Sequence, residues 1–194
     1  MISQAHTLPG PEIISKTCNR NSLPFSFKSG DHTSCGHMAK MIVSISDMKI
    51  TTQREAVLIT YSLGSCLGLA AYDPVCRIGG LIHCLLSSTD RRDKLKNPYM
   101  YVNTGVPAMV RQMVAKGASL DRLVFKAAGC GRMMEIMDSL DIGAQNIAVL
   151  EKIFAKNRVK LAAKDVGECI PRTMSLHMAD GRVVISSRGK EWEL

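Results

Sequence analysis

Residues 56–86 read AVLITYSLGSCLGLAAYDPVCRIGGLIHCLL, and this stretch contains three short apolar runs that are typical of buried strands. The runs cover residues 56–60, 67–72 and 78–86. A glycine-containing turn at residues 62–66 separates the first two runs, and the turn pair Asp73 and Pro74 separates the second run from the third. An antiparallel return at this second turn would place the last two runs side by side in one sheet.

The remaining sequence alternates between helical and extended patterns. Apolar residues recur every three or four positions in residues 104–116 and 143–155, which predicts two helices. Strands are predicted at residues 123–128, 159–163, 173–178 and 183–187, and Asp180 with Gly181 indicates a hairpin between the last two. Hairpin strands with two interspersed helices predict the α+β class, as a layered sandwich of mixed or antiparallel β-sheet with flanking helices.

Residues 1–40 differ from the rest of the chain, because they are rich in serine, proline and glycine and follow neither the helix period nor the strand period. We therefore expect residues 1–40 to be a mobile, disordered N-terminal extension and residues 41–194 to form a single domain. The extension holds four basic and two acidic side chains, so most of the chain's positive charge belongs to the domain.

The composition of the 194 residues, with 46% hydrophobic and 22% charged residues, excludes collagen-like, coiled-coil and wholly disordered proteins. The net charge of +8 favours an acidic partner, but the charges are spread out and aromatic residues make up only 5%, so nucleic acid is not expected. No apolar stretch approaches the roughly 20 residues of a membrane span, and residues 1–14 show no signal-peptide pattern. Seven cysteines, an odd number, indicate reduced thiols and a cytoplasmic location.

Cys66 follows the glycine turn between two predicted strands, where a thiol can point out of the sheet as a nucleophile. A thiol with an ordinary pKa of about 8.5 is mostly protonated at neutral pH, and a neighbouring imidazole would activate it as a thiolate–imidazolium pair. His83, in the predicted return strand, is the candidate imidazole, and the hydroxyl of Thr60 can orient its ring. The other interpretation is that Cys66 is a small buried hydrophobe and His83 a hydrogen-bonded core residue.

The segment TYSLGSCLGLAAYD at residues 60–73, followed by GGLIH at residues 79–83, resembles the CheD family of chemoreceptor glutamine deamidases. Further stretches resemble the later motifs of that family, in the same order. They are YVNT at 101–104, KAAG at 126–129, DIGAQN at 141–146, DVG at 165–167 and Arg172. The resemblance covers about residues 41–187 and leaves the first 40 residues outside it.

This resemblance implies that residues 41–194 form a single deamidase domain, a hydrolase that converts receptor glutamines to glutamates in chemotaxis. It implies Cys66 as the nucleophile that forms a thioester, His83 as the base and then the acid, and Thr60 as the residue that orients His83. It implies no metal or organic cofactor. The implied fold is similar to that of the catalytic domain of bacterial cytotoxic necrotizing factors. The implied partners are the cytoplasmic domains of chemotaxis receptors and a CheC-type phosphatase.

The sequence departs from the family pattern at loop positions, with Gln145 in place of an arginine and Ser87 in place of a proline. A one-residue shift in the turn would also bring Tyr61 to the place expected of Thr60. The alternative function is a non-catalytic or dual-role regulatory module that binds a CheC-type phosphatase or receptors, although the intact cysteine and histidine favour the enzyme.

Other cysteines raise one further possibility. A zinc site can be drawn from Cys18, His32, Cys35 and His37, but this spacing matches no closed structural zinc pattern. The remaining cysteines are expected to be buried or idle thiols, since a reducing compartment does not favour disulfides.

Overall fold

The structure, a computed structural model, describes residues 39–90, 96–132 and 141–194. In chain order its strands and helices are β1 (Ala39–Ile42), β2 (Asp47–Thr51), β3 (Ala56–Leu63), β4 (Leu67–Asp73), β5 (Ile78–Cys84), α1 (Val102–Ala115), β6 (Val124–Gly129), α2 (Ile142–Lys156), β7 (Leu161–Val166), β8 (Arg172–His177), β9 (Val183–Ser187) and β10 (Lys190–Glu193). These elements confirm the predicted α+β class.

The strands form two mixed five-stranded sheets. The first sheet has the order β1-β3-β8-β9-β10 and the second has the order β2-β5-β4-β6-β7. Each sheet is mainly antiparallel with one parallel edge pair, β1 with β3 in the first sheet and β6 with β7 in the second. β4 and β5 pair antiparallel, as the sequence predicted for the last two runs of residues 56–86.

The two sheets and the two helices form three layers with two apolar cores between them. Alternate residues of β4 show this arrangement, because Leu67 and Leu69 pack with the helices while Ala70 and Tyr72 pack with the first sheet. Both faces of β4 are therefore buried, which explains its continuous apolar sequence. Full burial of one such leucine side chain contributes about 1.5–3 kcal/mol to stability.

A buried ion pair joins the two sheets beside these cores. Arg172 at the start of β8 is almost fully buried, and its guanidinium contacts the Asp165 carboxylate of β7 at 2.9 Å. The same guanidinium donates to the carbonyls of Gly167 and Ile170, and Asp165 also accepts a hydrogen bond from the Trp192 indole of β10. The buried charge is thus neutralised and hydrogen-bonded, as burial of an arginine requires.

The structure confirms both helices and corrects the element boundaries. β1 begins at Ala39, two residues before the expected start of the domain at Met41, while residues 1–38 lie outside the described residues. β1, β2 and β10 were not predicted, because they are edge strands of only four or five residues, most of which are half-buried or exposed. Neither described helix is long and apolar enough to cross a membrane.

Candidate active site

The site begins where β3 runs into the turn before β4. β3 continues to Leu63 instead of ending at Thr60, and an extra residue between these two positions shifts its register against β8. Ser62 takes a left-handed φ of 56° within this bulge. The expected turn at residues 62–66 is therefore shorter, and residues 64–66 alone connect the two strands.

The backbone carbonyls of residues 64–66 are each held by a hydrogen bond. The Gly131 N–H donates to the first of them at 2.7 Å, Nδ2 of Asn146 to the second at 3.0 Å, and the Cys130 N–H to the third at 2.7 Å. Gly129, with a φ of 94°, allows this contact, since a Cβ there would lie 2.3 Å from the Cys66 carbonyl oxygen. The turn that carries Cys66 is thus fixed against the end of β6 and against α2.

Thr60 and His83 form the central polar contact of the site. Oγ1 of Thr60 lies 2.7 Å from Nδ1 of His83, and both side chains are completely buried between the two sheets. The bulge begins after Thr60, so Thr60 faces inward while Tyr61 points outward with 45% of its surface exposed. The structure therefore pairs Thr60, and not Tyr61, with the histidine.

Cys66 lies on the same face of the second sheet as His83. The β4–β5 ladder pairs Gly68 with His83 and ends one pair later, so Cys66 is the diagonal neighbour of the histidine. Diagonal neighbours in an antiparallel sheet are about 7–8 Å apart between Cα atoms. Cys66 also packs in the core between the sheets, with 8% of its surface exposed. Nε2 of His83 has no hydrogen-bond partner among the described residues.

Burial disfavours the charged forms of both Cys66 and His83. It raises the pKa of the Cys66 thiol, and a hydrogen bond from the residue's own backbone N–H offsets this only in part. Burial also lowers the pKa of His83 to about 4. The resting site therefore holds a neutral thiol and a neutral imidazole at neutral pH, which differs from the thiolate–imidazolium pair expected from the sequence.

The other described cysteines lie in less suitable surroundings. Burial raises the pKa of Cys84, and it raises that of Cys130 to about 12, so both remain protonated thiols. Cys76 and Cys169 are exposed, and all of these thiols are free. No group of described residues could hold a metal ion, and the zinc alternative at Cys18, His32, Cys35 and His37 falls outside the described residues.

Asn146 is the site residue that the chemical reasoning did not single out. It lies in α2, completely buried, and its Nδ2 donates to the carbonyl of Ser65 at 3.0 Å and to that of Leu85 at 3.2 Å. The signal available in the sequence was its position in the helix, because it lies on the face that buries Leu150 and Phe154. A polar residue at such a position needs hydrogen-bond partners.

The structure places Cys66 on the sheet face of a histidine that Thr60 contacts, and a cysteine near a histidine is an arrangement capable of nucleophilic attack on carbonyl groups. Residues 85–187 match the family described as CheD chemotactic sensory transduction. A protein of Solibacter usitatus is 40% identical over 159 residues, which cover 81% of this chain and 94% of the relative. The chain belongs to the CheD family.

Two further relatives extend this comparison. A protein of Symbiobacterium thermophilum is 41% identical over 152 residues, covering 76% of this chain and 92% of the relative. A protein of Syntrophus aciditrophicus is 35% identical over 154 residues, covering 78% of this chain and 96% of the relative. The first two relatives carry the name "Probable chemoreceptor glutamine deamidase CheD", and the third carries it with the number 1.

Proposed function

We propose that this protein is a cysteine-dependent chemoreceptor glutamine deamidase, which hydrolyses the side-chain amide of receptor glutamines to glutamate and ammonia. Family membership and the names of the relatives support the reaction class. The observation that carries the assignment to residues is the buried contact between Thr60 and His83 on the face that also holds Cys66. A histidine with one ring nitrogen held and the other without a partner is suited to proton transfer.

The proposed reaction has two halves that share one intermediate. Sγ of Cys66 attacks the carboxamide carbon while Nε2 of His83 accepts the thiol proton, and His83 then donates that proton to the departing ammonia. A thioester remains between Cys66 and the glutamyl side chain. His83 next removes a proton from water, the hydroxide adds to the thioester, and glutamate leaves as Cys66 regains its proton. These steps require no metal and no organic cofactor.

The protonation states define how the first half begins. Because the pKa of Cys66 is raised and that of His83 is lowered to about 4, the thiol proton moves to the imidazole during attack and not before it. Nε2 accepts this proton only in the tautomer whose Nδ1 carries a hydrogen. In that tautomer Nδ1–H donates to Oγ1 of Thr60, and this hydrogen bond stabilises the reactive form of His83.

The backbone around Cys66 supplies a donor for the negative charge that develops on the substrate oxygen. The backbone N–H of Cys66 lowers the pKa of the residue's own thiol, so this donor acts at the sulfur that would form the new bond to the substrate carbon. A backbone donor held in this position stabilises an oxyanion without reorganisation, and removal of one such donor typically costs about 2.7–4 kcal/mol of transition-state stabilisation. The anchored carbonyls of residues 64–66 keep this N–H from turning away.

We propose a cytoplasmic enzyme whose partners are the cytoplasmic domains of chemotaxis receptors, and the free thiols of the described cysteines are consistent with a reducing compartment. Binding of a CheC-type phosphatase stays a prediction, as do a disordered extension before β1, a single deamidase domain from β1 onward and the likeness to the cytotoxic necrotizing factor fold.

Mass spectrometry of a receptor cytoplasmic fragment tests the proposal. After incubation with the protein, peptides of the fragment should show glutamine converted to glutamate, with an equal amount of ammonia released. Cys66→Ala should remain folded and produce neither change. A complex between protein and fragment without any conversion would overturn the deamidase and favour the regulatory binding module.

A further inference from the structure

The first turns of α2 bring a buried amide to the point where β4 and β5 stop pairing. Asp141 caps the helix, since its carboxylate accepts the Ala144 N–H at 2.8 Å, and Asn146 follows in the next turn. The last β4–β5 pair joins Leu67 with Cys84. The Asn146 side chain lies just beyond this pair, between the two strand ends.

Asn146 bridges the segment that holds the nucleophile and the segment that holds the histidine. Its Nδ2 donates to the carbonyl of Ser65, which directly precedes Cys66, at 3.0 Å. The same Nδ2 donates to the carbonyl of Leu85, two residues after His83, at 3.2 Å. One side chain thus contacts both segments where no backbone ladder holds them together.

The orientation of the amide is determined by these partners. Rotating the amide of Asn146 by half a turn would place its oxygen against two carbonyl oxygens, so the nitrogen must face them. Oδ1 is buried and has no hydrogen-bond partner among the described residues. The contacts that the structure gives to this amide are therefore those of its nitrogen with the two carbonyls.

Among the three anchors of the turn at residues 64–66, Asn146 is the one that comes from a side chain. The other two are backbone N–H groups of Cys130 and Gly131, and both lie at the end of β6. Those backbone bonds hold the turn to β6, whereas Asn146 also holds it to the end of β5. This second connection fixes the turn relative to the strand that carries His83.

We propose that Asn146 is a positioning residue, which holds Cys66 at its working distance from His83 by bridging the carbonyls of Ser65 and Leu85. The inference rests on the proposed function in that Cys66 is the nucleophile and His83 its base. A displacement of about 1 Å at a reacting group can reduce a rate by roughly 100-fold. Loss of the bridge should therefore lower kcat far more than it changes KM.

The chain offers a matched control on the same helix. Asn157 follows the last turn of α2, and its Nδ2 donates to the carbonyl of Ile153 at 2.8 Å, away from the catalytic turn. Asn146→Ala and Asn157→Ala each remove an asparagine amide that bonds to backbone carbonyls. We expect Asn146→Ala to lower kcat for the receptor fragment by about 30- to 100-fold, with KM within about threefold. Asn157→Ala should stay within about twofold of the unchanged protein.

A second readout works without the receptor and separates this proposal from the proposed function. The rate at which iodoacetamide alkylates Cys66 is compared with and without His83→Ala, first in the original chain and then in Asn146→Ala. We expect His83→Ala to slow alkylation in the original chain and to have almost no effect in Asn146→Ala. This result would support the proposal even if the receptor fragment proved not to be the substrate.

Three outcomes would overturn the proposal. Equal losses of kcat in Asn146→Ala and Asn157→Ala would show a general structural effect, and a loss confined to KM would show a role in binding. Alkylation that depends equally on His83 in both backgrounds would show that Asn146 does not couple the two residues. Alkylation that does not depend on His83 in the original chain would instead refute His83 as the base, and with it the proposed function on which this proposal rests. All rates are measured below the unfolding transition, and Asn146→Ser, which keeps one donor, replaces Asn146→Ala if that variant does not fold.

Discussion

Substitution of Thr60 by valine tests the role of the buried hydroxyl, because valine keeps the shape of threonine and removes only its hydrogen bond. In the structure, Oγ1 of Thr60 lies 2.7 Å from Nδ1 of His83, and neither side chain reaches the surface. Thr60→Val therefore leaves Nδ1 without this partner in a place where water cannot replace it. Leaving one buried polar atom unpaired costs about 1–3 kcal/mol.

The same free energy sets the expected loss of activity, because the lost hydrogen bond orients the His83 ring and stabilises the tautomer that accepts the thiol proton. A loss of about 1–3 kcal/mol from the transition state corresponds to a reduction of roughly 5- to 150-fold in kcat. Thr60→Ser, which keeps the hydroxyl, should recover most of the activity. The assay measures ammonia release from the receptor fragment at saturating substrate.

A matched substitution makes this result interpretable. Thr51 is also a buried strand threonine, but its hydroxyl accepts the backbone N–H of Gln53 at 3.1 Å and lies at the other end of β2 from the residue that pairs with His83. Thr51→Val should lose stability without loss of kcat. Equal kcat values for Thr60→Val and Thr51→Val would refute the role given to Thr60.

Three further predictions follow from charge and burial. Burial lowers the pKa of His83 from 6.5 to about 4, so between pH 6.5 and pH 4 the unfolded chain binds more protons than the folded one. The free energy of unfolding should therefore fall by about 3 kcal/mol as the pH drops from 6.5 to 4. Urea unfolding across this range should show a smaller loss in His83→Gln, and an identical loss would contradict the assignment. Asp73 is fully buried and accepts hydrogen bonds from Arg122 and from backbone N–H groups. Asp73→Asn should therefore lower the free energy of unfolding by about 2–4 kcal/mol, measured by thermal unfolding, while kcat stays within about twofold. A selective loss of kcat would contradict this prediction. Arg188 and Lys190 line a groove of about 640 Å³ that reaches Ser62, and the net charge of the chain is +8. The value of kcat/KM for an acidic receptor fragment should therefore fall as the salt concentration rises. A kcat/KM that does not change with salt would exclude electrostatic steering.

The apolar pattern was enough to locate the central strands, and the reason is visible in their burial. Every residue of β4 and β5 is buried, so both strands appear in the sequence as continuous apolar runs between turn residues. β2 (DMKIT) and β10 (KEWE) are edge strands with several polar residues. Most of their residues are half-buried in β2 and exposed in β10, so neither strand appears as a continuous apolar run. Their pairing depends on partners that are distant in sequence, which local pattern does not reveal.

The candidate site was predictable where it depends on local spacing and not where it depends on register. The return of β5 along β4 brings His83 near Cys66 through a short hairpin. Whether Thr60 or Tyr61 faces His83 depends on a bulge after Thr60, and no pattern in the sequence predicts that bulge. Asn146 contacts carbonyls that lie 81 and 61 positions earlier in the chain, so only the folded structure could bring it to the site.

The protonation states of Cys66 and His83 could not be predicted from the sequence either. A histidine beside a cysteine predicts an ion pair when both are partly solvated. Here His83 is completely buried and Cys66 almost so, which disfavours both charges in the resting site. The degree of burial arises from the packing of two sheets against each other, and this packing is a property of the whole fold.

The thioester at Cys66 is the central claim, and hydroxylamine trapping tests it most directly. Hydroxylamine competes with water for the thioester. Its attack releases the Cys66 thiol and leaves a hydroxamate on the glutamyl side chain. The account predicts that the receptor fragment, incubated with the protein and hydroxylamine, carries hydroxamate at the glutamines that otherwise become glutamate, and that Cys66→Ala produces none. Glutamate formation without hydroxamate at any hydroxylamine concentration, or hydroxamate formation by Cys66→Ala, would contradict it.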